Sequence, residues 1–174
     1  MCETDRAGFS GKDGPDFDMK IAVANDHRGV KAIEQVKAII AQLNHECLDF
    51  GHSNSEQPID YPDAAYRAAS LVSDGEADRA ILICGTGIGM SIAANKIKGV
   101  RAALCFDELA AQISRHHNDA NVLCLSGDLL GATMLRKIVE TWLGTDFSGG
   151  RHQRRVNKIK AIENGGDPSQ IEGS

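Results

Sequence analysis

Short apolar runs alternate along this chain with stretches in which apolar residues recur every three or four positions. Lys20-Ile-Ala-Val-Ala24 has the length of a strand and ends at the polar Asn25-Asp26-His27. From Val30 through Ile33, Val36 and Ile40 to Leu43 the apolar positions follow helical spacing. A second strand is predicted from Glu46 to Phe50, closed by Gly51, and Tyr61-Pro62-Asp63 then opens a helix that runs to about Ser73 and stops near Gly75. Proline suits that first turn because its missing N–H would have no helical partner there. Arg79-Ala-Ile-Leu-Ile-Cys84 is a continuous apolar run, as in a strand buried on both faces. Gly85 to Gly89 turns the chain into a helix ending near Lys98-Gly99. Strand-like runs return at Val100 to Cys105 and Asn121 to Leu125, with a helix between them starting at Asp107 or Glu108. A helix from about Leu129 to Leu143, a break at Gly149-Gly150 and a last helix from Arg151 to about Ile162 complete the pattern.

Five strands alternating with helices predict a Rossmann-like, doubly wound five-stranded parallel sheet with helices on both faces and a C-terminal helix. Such sheets bind ligands outside the carboxyl ends of their strands, at the point where strand order reverses. The residues at those ends are Asp26-His27, Cys84 to Gly89, and Asp107. One domain is expected over residues 19–163, with a disordered extension at 1–18 and a flexible tail at 164–174. The extension lacks the apolar centre of a secretory signal, and the change of pattern at Met19-Lys20 would suit Met19 as the natural start. No run of apolar residues is long enough to predict a membrane span.

Composition changes this picture little: 42% hydrophobic and 25% charged residues suit a soluble globular domain. The formal net charge of −5 gives nucleic-acid binding no general electrostatic support. Against that background Arg151, Arg154, Arg155, Lys158 and Lys160 form a local basic cluster, either a solvated helix face or a site for a small anion. The five cysteines are odd in number and include no CxxC pair, which argues against a disulfide framework and a zinc knuckle and favours a reducing cytoplasm.

Cys84-Gly-Thr-Gly-Ile-Gly89, after a buried strand and before a helix, is suited to handling anions. Its glycines allow close backbone approach, and the helix start offers free N–H groups. No Gly-Lys pair follows, so it is not a nucleoside-triphosphate loop. The glycines are spaced GxGxG, with Met90 where a dinucleotide fingerprint would carry its third glycine. Asp107, twenty residues after Gly87, occupies the place of a ribose-binding acid and keeps a nicotinamide-dependent oxidoreductase in view. Cys84 is either the last buried residue of a strand or a thiolate stabilised by the helix start, able to act as nucleophile or base.

DHRG at 26–29, DYP at 60–62, ILICGTGIGMSIAANK at 81–96, SRHHND at 114–119 and GGRHQRRV at 149–156 together resemble the ribose-5-phosphate isomerase B and galactose-6-phosphate isomerase family, over Met19 to about Glu163. The resemblance implies a metal-free, cofactor-free aldose–ketose isomerase of a small phosphorylated sugar. It implies Cys84 as the base between C1 and C2, and His117 as the residue that opens the furanose ring. Thr86 and the amides around Gly85, Gly87 and Gly89 would hold the enediolate oxygen. Asp26 and Asn118 would bind sugar hydroxyls, Arg151 and Arg155 would clamp the phosphate with His27 nearby, and Tyr61 would lie at the edge of the site. It also implies a homodimer or tetramer with sites at the subunit interface, so that His117 and the arginines need not serve the Cys84 of their own chain. Read without the family, Asp26 could cap the helix that follows it, and His116 or His117 could cap the end of theirs.

The chain departs from the family pattern at Asp128, where an arginine is common, and Arg28 stands where a small or apolar residue is usual; Arg28 would then be the compensating cation. Asn25 is a variable position at which galactose-type subunits can carry asparagine. Ribose 5-phosphate is the leading substrate, with tetrulose, allose and galactose phosphates as alternatives. A sugar-phosphate-binding protein without catalysis is the reading from another class.

Overall fold

The computed structural model describes residues 18–171; the expectation for residues 1–17 lies outside them. Five strands, β1 (Lys20–Asn25), β2 (Glu46–Asp49), β3 (Arg79–Cys84), β4 (Ala102–Leu104) and β5 (Val122–Ser126), form one parallel sheet in the order β2-β1-β3-β5-β4. Between and after them run α1 (Val30–Gln42), α2 (Tyr61–Asp74), α3 (Ile88–Ala94), α4 (Glu108–Asn118), α5 (Ala132–Gly144) and α6 (Arg151–Glu163).

Side-chain alternation along the strands divides the core in two. Ile21, Val23, Ile81, Ile83, Leu123 and Leu125 face one side and pack on α1, α5 and one turn of α4. Ala22, Ala24, Ala80, Leu82, Cys84, Val122 and Cys124 face the other and meet α2 and α3. That second layer is thin because α2 buries Ala64, Ala65, Ala68 and Ala69, which lets the helix approach β1 and β3 closely. α6 belongs to neither layer. It buries only His152 and Val156 along its length and leaves Ile159 and Ile162 exposed.

The chain moves from β1 outward to β2 and then back across to β3, so strand order reverses between β1 and β3. Their carboxyl ends are tied together where the Asp26 N–H donates to the Ile83 carbonyl.

Four stretches differ from expectation. α3 ends at Ala94, short of Lys98-Gly99, where the Asn95 side chain instead bonds the N–H and carbonyl of Ala102. β4 is three residues long because the Asn121 side chain holds the Arg101 N–H and the Gly99 carbonyl, drawing that segment out of the ladder. α5 begins at Ala132, not near Leu129, because residues 127–129 turn back onto the glycine loop: Gly127 N–H donates to the Cys84 carbonyl, Asp128 N–H to the Gly85 carbonyl, and Leu129 N–H to Ser126 Oγ. Within the tail, Pro168–Gln170 form a single 3-10 turn capped by the Asp167 side chain on the Ser169 N–H. Among the described residues no helix is long and apolar enough to cross a membrane.

Candidate active site

Cys84 ends β3 at the strand-order reversal, buried with 5% of its surface exposed. Its Sγ accepts the backbone N–H of Gly87 at 3.1 Å. The turn needs glycine at 87: φ is +78°, and a Cβ would lie 2.6 Å from Leu104 Cδ1 and 3.0 Å from the Leu125 carbonyl. At Gly89 a Cβ would meet the Tyr61 ring at 2.6 Å, so the missing side chain lets Tyr61, at the start of α2, lie against the loop. Thr86 is exposed, and its Oγ1 accepts the Ile88 N–H at 3.3 Å. Gly85 is held from below by Ser126 Oγ, which donates to its carbonyl. Burial pushes the thiols of Cys47 and Cys105 up to about 11 and that of Cys124 well above the ordinary value, as suits packing roles.

Beside this loop the β1 end supplies Asp26 and His27. Asp26 is buried, and its Oδ1 accepts the Arg28 N–H at 2.8 Å, so it caps the turn into α1 while Gly29 is the last residue before the helix. His27 Nδ1 accepts the Ile59 N–H at 3.4 Å, which leaves the ring proton on Nε2. The Asn25 amide is engaged with the backbone of His52 and Asp26, so it shapes the loop after β2 and does not face a ligand. Arg28 pairs with Asp128, Nη2 to Oδ2 at 2.7 Å and Nε to the same oxygen at 3.1 Å. The pair stands directly over Gly85, whose Cβ would lie 2.9 Å from Asp128 Oδ2.

The remaining candidates are elsewhere. α4 starts beyond the carboxyl end of β4 and runs back along the sheet, and eleven residues at about 1.5 Å each span about 16 Å. His117 and Asn118, at its far end, therefore lie toward the amino ends of the strands, where Arg101 donates to the carbonyls of Asn118 and Asp119. α6 starts at the same place, because Ser148 donates from its N–H and Oγ to the His116 carbonyl. The break before α6 is real: Gly150 has φ +53° and ψ −132°, open only to glycine. It delivers Arg151 and Arg155 beside the histidines.

There His117 stacks on His152, with ring centroids 4.1 Å apart and planes 6° from parallel. Arg151 Nε lies 3.4 Å from His152 Nε2, and Arg155 Nη1 lies 3.4 Å from His152 Nδ1. Burial, then the charges of His117, Arg151 and Arg155, lower the His152 pKa. Among the described residues neither Arg151 nor Arg155 makes an ion pair, so the cluster is rich in cations and short of acceptors. The capping alternative for His116 and His117 is corrected: the residue that closes α4 is Asp119, in the left-handed conformation at φ +47° and paired with Arg101 and Arg115.

Of the rival readings, the dinucleotide one loses its acid, since Asp107 caps α4 with its carboxylate on the Ala110 N–H at 2.7 Å. Among the described residues no cluster of ligating side chains could hold a metal ion. Grooves of about 590 and 410 Å³ lie under α6 and beside the loop after β2, and neither is lined by Cys84. Sequence reasoning passed over Ser126 and His152. The first carries no signal in a strand-end position, whereas the second sits inside the GGRHQRR motif and could have been found there.

The sheet thus carries a buried thiol and a glycine loop at its strand-order reversal, and a separate cluster of arginine and histidine toward the amino ends of its strands. The chain belongs to the ribose/galactose isomerase family, whose model matches residues 21–159. Ribose-5-phosphate isomerase B of Escherichia coli is 46% identical over 144 residues, 83% of this chain and 96% of that protein. D-erythrulose-4-phosphate isomerase of Pectobacterium atrosepticum is 37% identical over 146 residues, 83% of this chain and 95% of that protein. The solved structure of Clostridium thermocellum ribose-5-phosphate isomerase B superposes with a TM-score of 0.82 at 45% identity, covering 84% of this chain and 99% of that one. The chain is an enzyme of the sugar-phosphate isomerase type.

Proposed function

We propose that this enzyme interconverts ribose 5-phosphate and ribulose 5-phosphate through an enediolate, with Cys84 as the base. The observation that carries the reading is the Cys84 sulfur, buried at the strand-order reversal and accepting the Gly87 N–H. A thiolate there removes the proton from C2 of the open aldose and the electron pair moves to the carbonyl oxygen O1; the proton of the O2 hydroxyl passes to O1, and the same thiol returns its proton to C1 as O2 becomes the carbonyl. The developing oxyanion needs donors, and the exposed Thr86 hydroxyl and the N–H groups of Gly89 and Met90 in the first turn of α3 are the candidates near the sulfur. One such donor is worth about 3 kcal/mol of barrier. Asp26 and Asn118 bind sugar hydroxyls, and Tyr61 borders the site. His117 donates a proton to the ring oxygen when the furanose opens. Arg151 and Arg155, with His27, bind the phosphate, for which a planar guanidinium is well shaped.

These groups work together only if two chains do. In one chain His117 and the arginines lie about a helix length from Cys84, so each site takes its thiol from one subunit and its histidine and arginines from another. The exposed apolar residues Ile88 and Ile92 on α3 and Leu109 and Ile113 on α4, on the two sides of the sheet, support a homodimer that covers them, larger assemblies being built from it. The reading places the enzyme in a reducing cytoplasm, with no cofactor. The tetrose-phosphate relative supports a second substrate reading, a shorter sugar held by the same thiol and arginines.

Incubation in heavy water with ribose 5-phosphate, erythrulose 4-phosphate, allose 6-phosphate and galactose 6-phosphate, followed by proton NMR, tests both. Ribose 5-phosphate is expected to convert to ribulose 5-phosphate carrying deuterium at C1, with deuterium at C2 of the aldose re-formed from it, and Cys84→Ala to lose at least about a hundredfold. Binding of every sugar phosphate with no exchange would replace this reading by a non-catalytic sugar-phosphate sensor.

A further inference from the structure

His152 has no part in the chemistry described above, yet it is the best-buried member of the basic cluster, with 6% of its surface exposed. Its ring lies flat on that of His117 at 4.1 Å and 6°, while His116 meets His117 tilted by 50° at 5.4 Å. A parallel stack restricts rotation of the upper ring about its side-chain bonds, because tilting that ring would cost the face contact. The lower ring is itself buried and flanked at its two edges by Arg151 and Arg155, 3.4 Å from Nε2 and Nδ1. A neutral imidazole has one acceptor nitrogen and one N–H, so it satisfies at most one of these two guanidiniums. Both arginines therefore keep donors that the ring does not satisfy.

We propose that His152 is a positioning residue for His117: it is the platform that fixes the plane of the ring-opening imidazole relative to the phosphate-binding arginines. The proposal rests on the isomerase reading and assigns to His152 an effect on ring opening alone. A proton donor must be aligned with the atom it protonates, and loss of alignment slows that step without touching the others.

Sugar chemistry separates the steps. Ribose 5-phosphate closes a ring between C1 and the free O4, so it must be opened before Cys84 can act. Ribulose 5-phosphate would need O5 for its five-membered ring, and O5 carries the phosphate, so it reaches the thiolate already open. Exchange of its C1 hydrogen in heavy water therefore reports proton transfer without ring opening, on the same phosphate and the same arginines.

The test compares the full-length wild type with His152→Ala and His152→Phe, the second of which keeps a flat ring and removes both nitrogens. Folding of each variant is checked by thermal melting and by fluorescence of Trp142, which is fully buried. For His152→Ala, kcat with ribose 5-phosphate is expected to fall about tenfold to a hundredfold while C1 exchange of ribulose 5-phosphate stays within about twofold. His152→Phe is expected to recover most of the loss. Equal losses in the two assays, no loss in either, a rise in KM alone, or a Phe variant as poor as Ala would each overturn the proposal. A wild type inert in both assays would instead sink the isomerase reading, and the proposal with it.

Discussion

His45 and His152 both pass from water, in the unfolded chain, into surroundings that resist protonation. Burial is the leading cause in each case, seconded at His152 by His117, Arg151 and Arg155 and opposed at His45 by Asp18. His45 Nδ1 is also a buried atom without a hydrogen-bond partner among the described residues. A histidine whose folded pKa lies below its unfolded one binds fewer protons in the folded state, so its contribution to stability is present above the unfolded value and is lost as pH falls toward the folded one. The urea midpoint is therefore expected to drop as pH falls below about 6.5, and His45→Gln should flatten part of that drop. A midpoint independent of pH between about 7 and 5 would contradict this.

At the scale of elements, the site depends on the join between β3 and α3 more than on either element alone. Gly87 combines a positive φ, a close carbonyl and a hydrogen bond from its N–H to the Cys84 sulfur. Gly87→Ala is expected to destabilise the fold by about 1–3 kcal/mol through the backbone conformation, read as a lowered urea midpoint. It should also lower kcat beyond what the lost stability explains, because the donor to Cys84 moves. The segment was legible in the sequence, since an apolar run into GTGIG admits few alternatives. The start of α5 was not. Leu129 and Leu130 fit the helical period, but the turn at 127–129 is held by the Cys84 and Gly85 carbonyls and Ser126 Oγ, partners some forty residues earlier or on the neighbouring strand end.

For the whole molecule, the decisive feature is the separation of Cys84 from His117, Arg151 and Arg155 to opposite ends of the sheet. The shared-site dimer predicts complementation. Cys84→Ala and His117→Ala proteins, each inactive alone, should regain activity when co-expressed or unfolded and refolded together. With random pairing half of the dimers are mixed, and each of those has one intact site, so activity should approach about a quarter of wild type. No recovery despite demonstrated mixing of subunits would mean that each chain completes its own site.

The sequence by itself determined the layered parallel sheet, the glycine loop after a buried strand, and most of the side chains that gather around the two clusters. These follow from local periodicity, from turn chemistry and from motifs in which the working residues are neighbours in the chain. Only the tertiary structure decided that Arg28 is paired with Asp128, that Asp107 and Asp119 serve as helix caps, and that His152 lies flat against His117. Each of these depends on which of several possible partners is nearest once helices and strands are packed, and spacing along the chain carries no record of that choice.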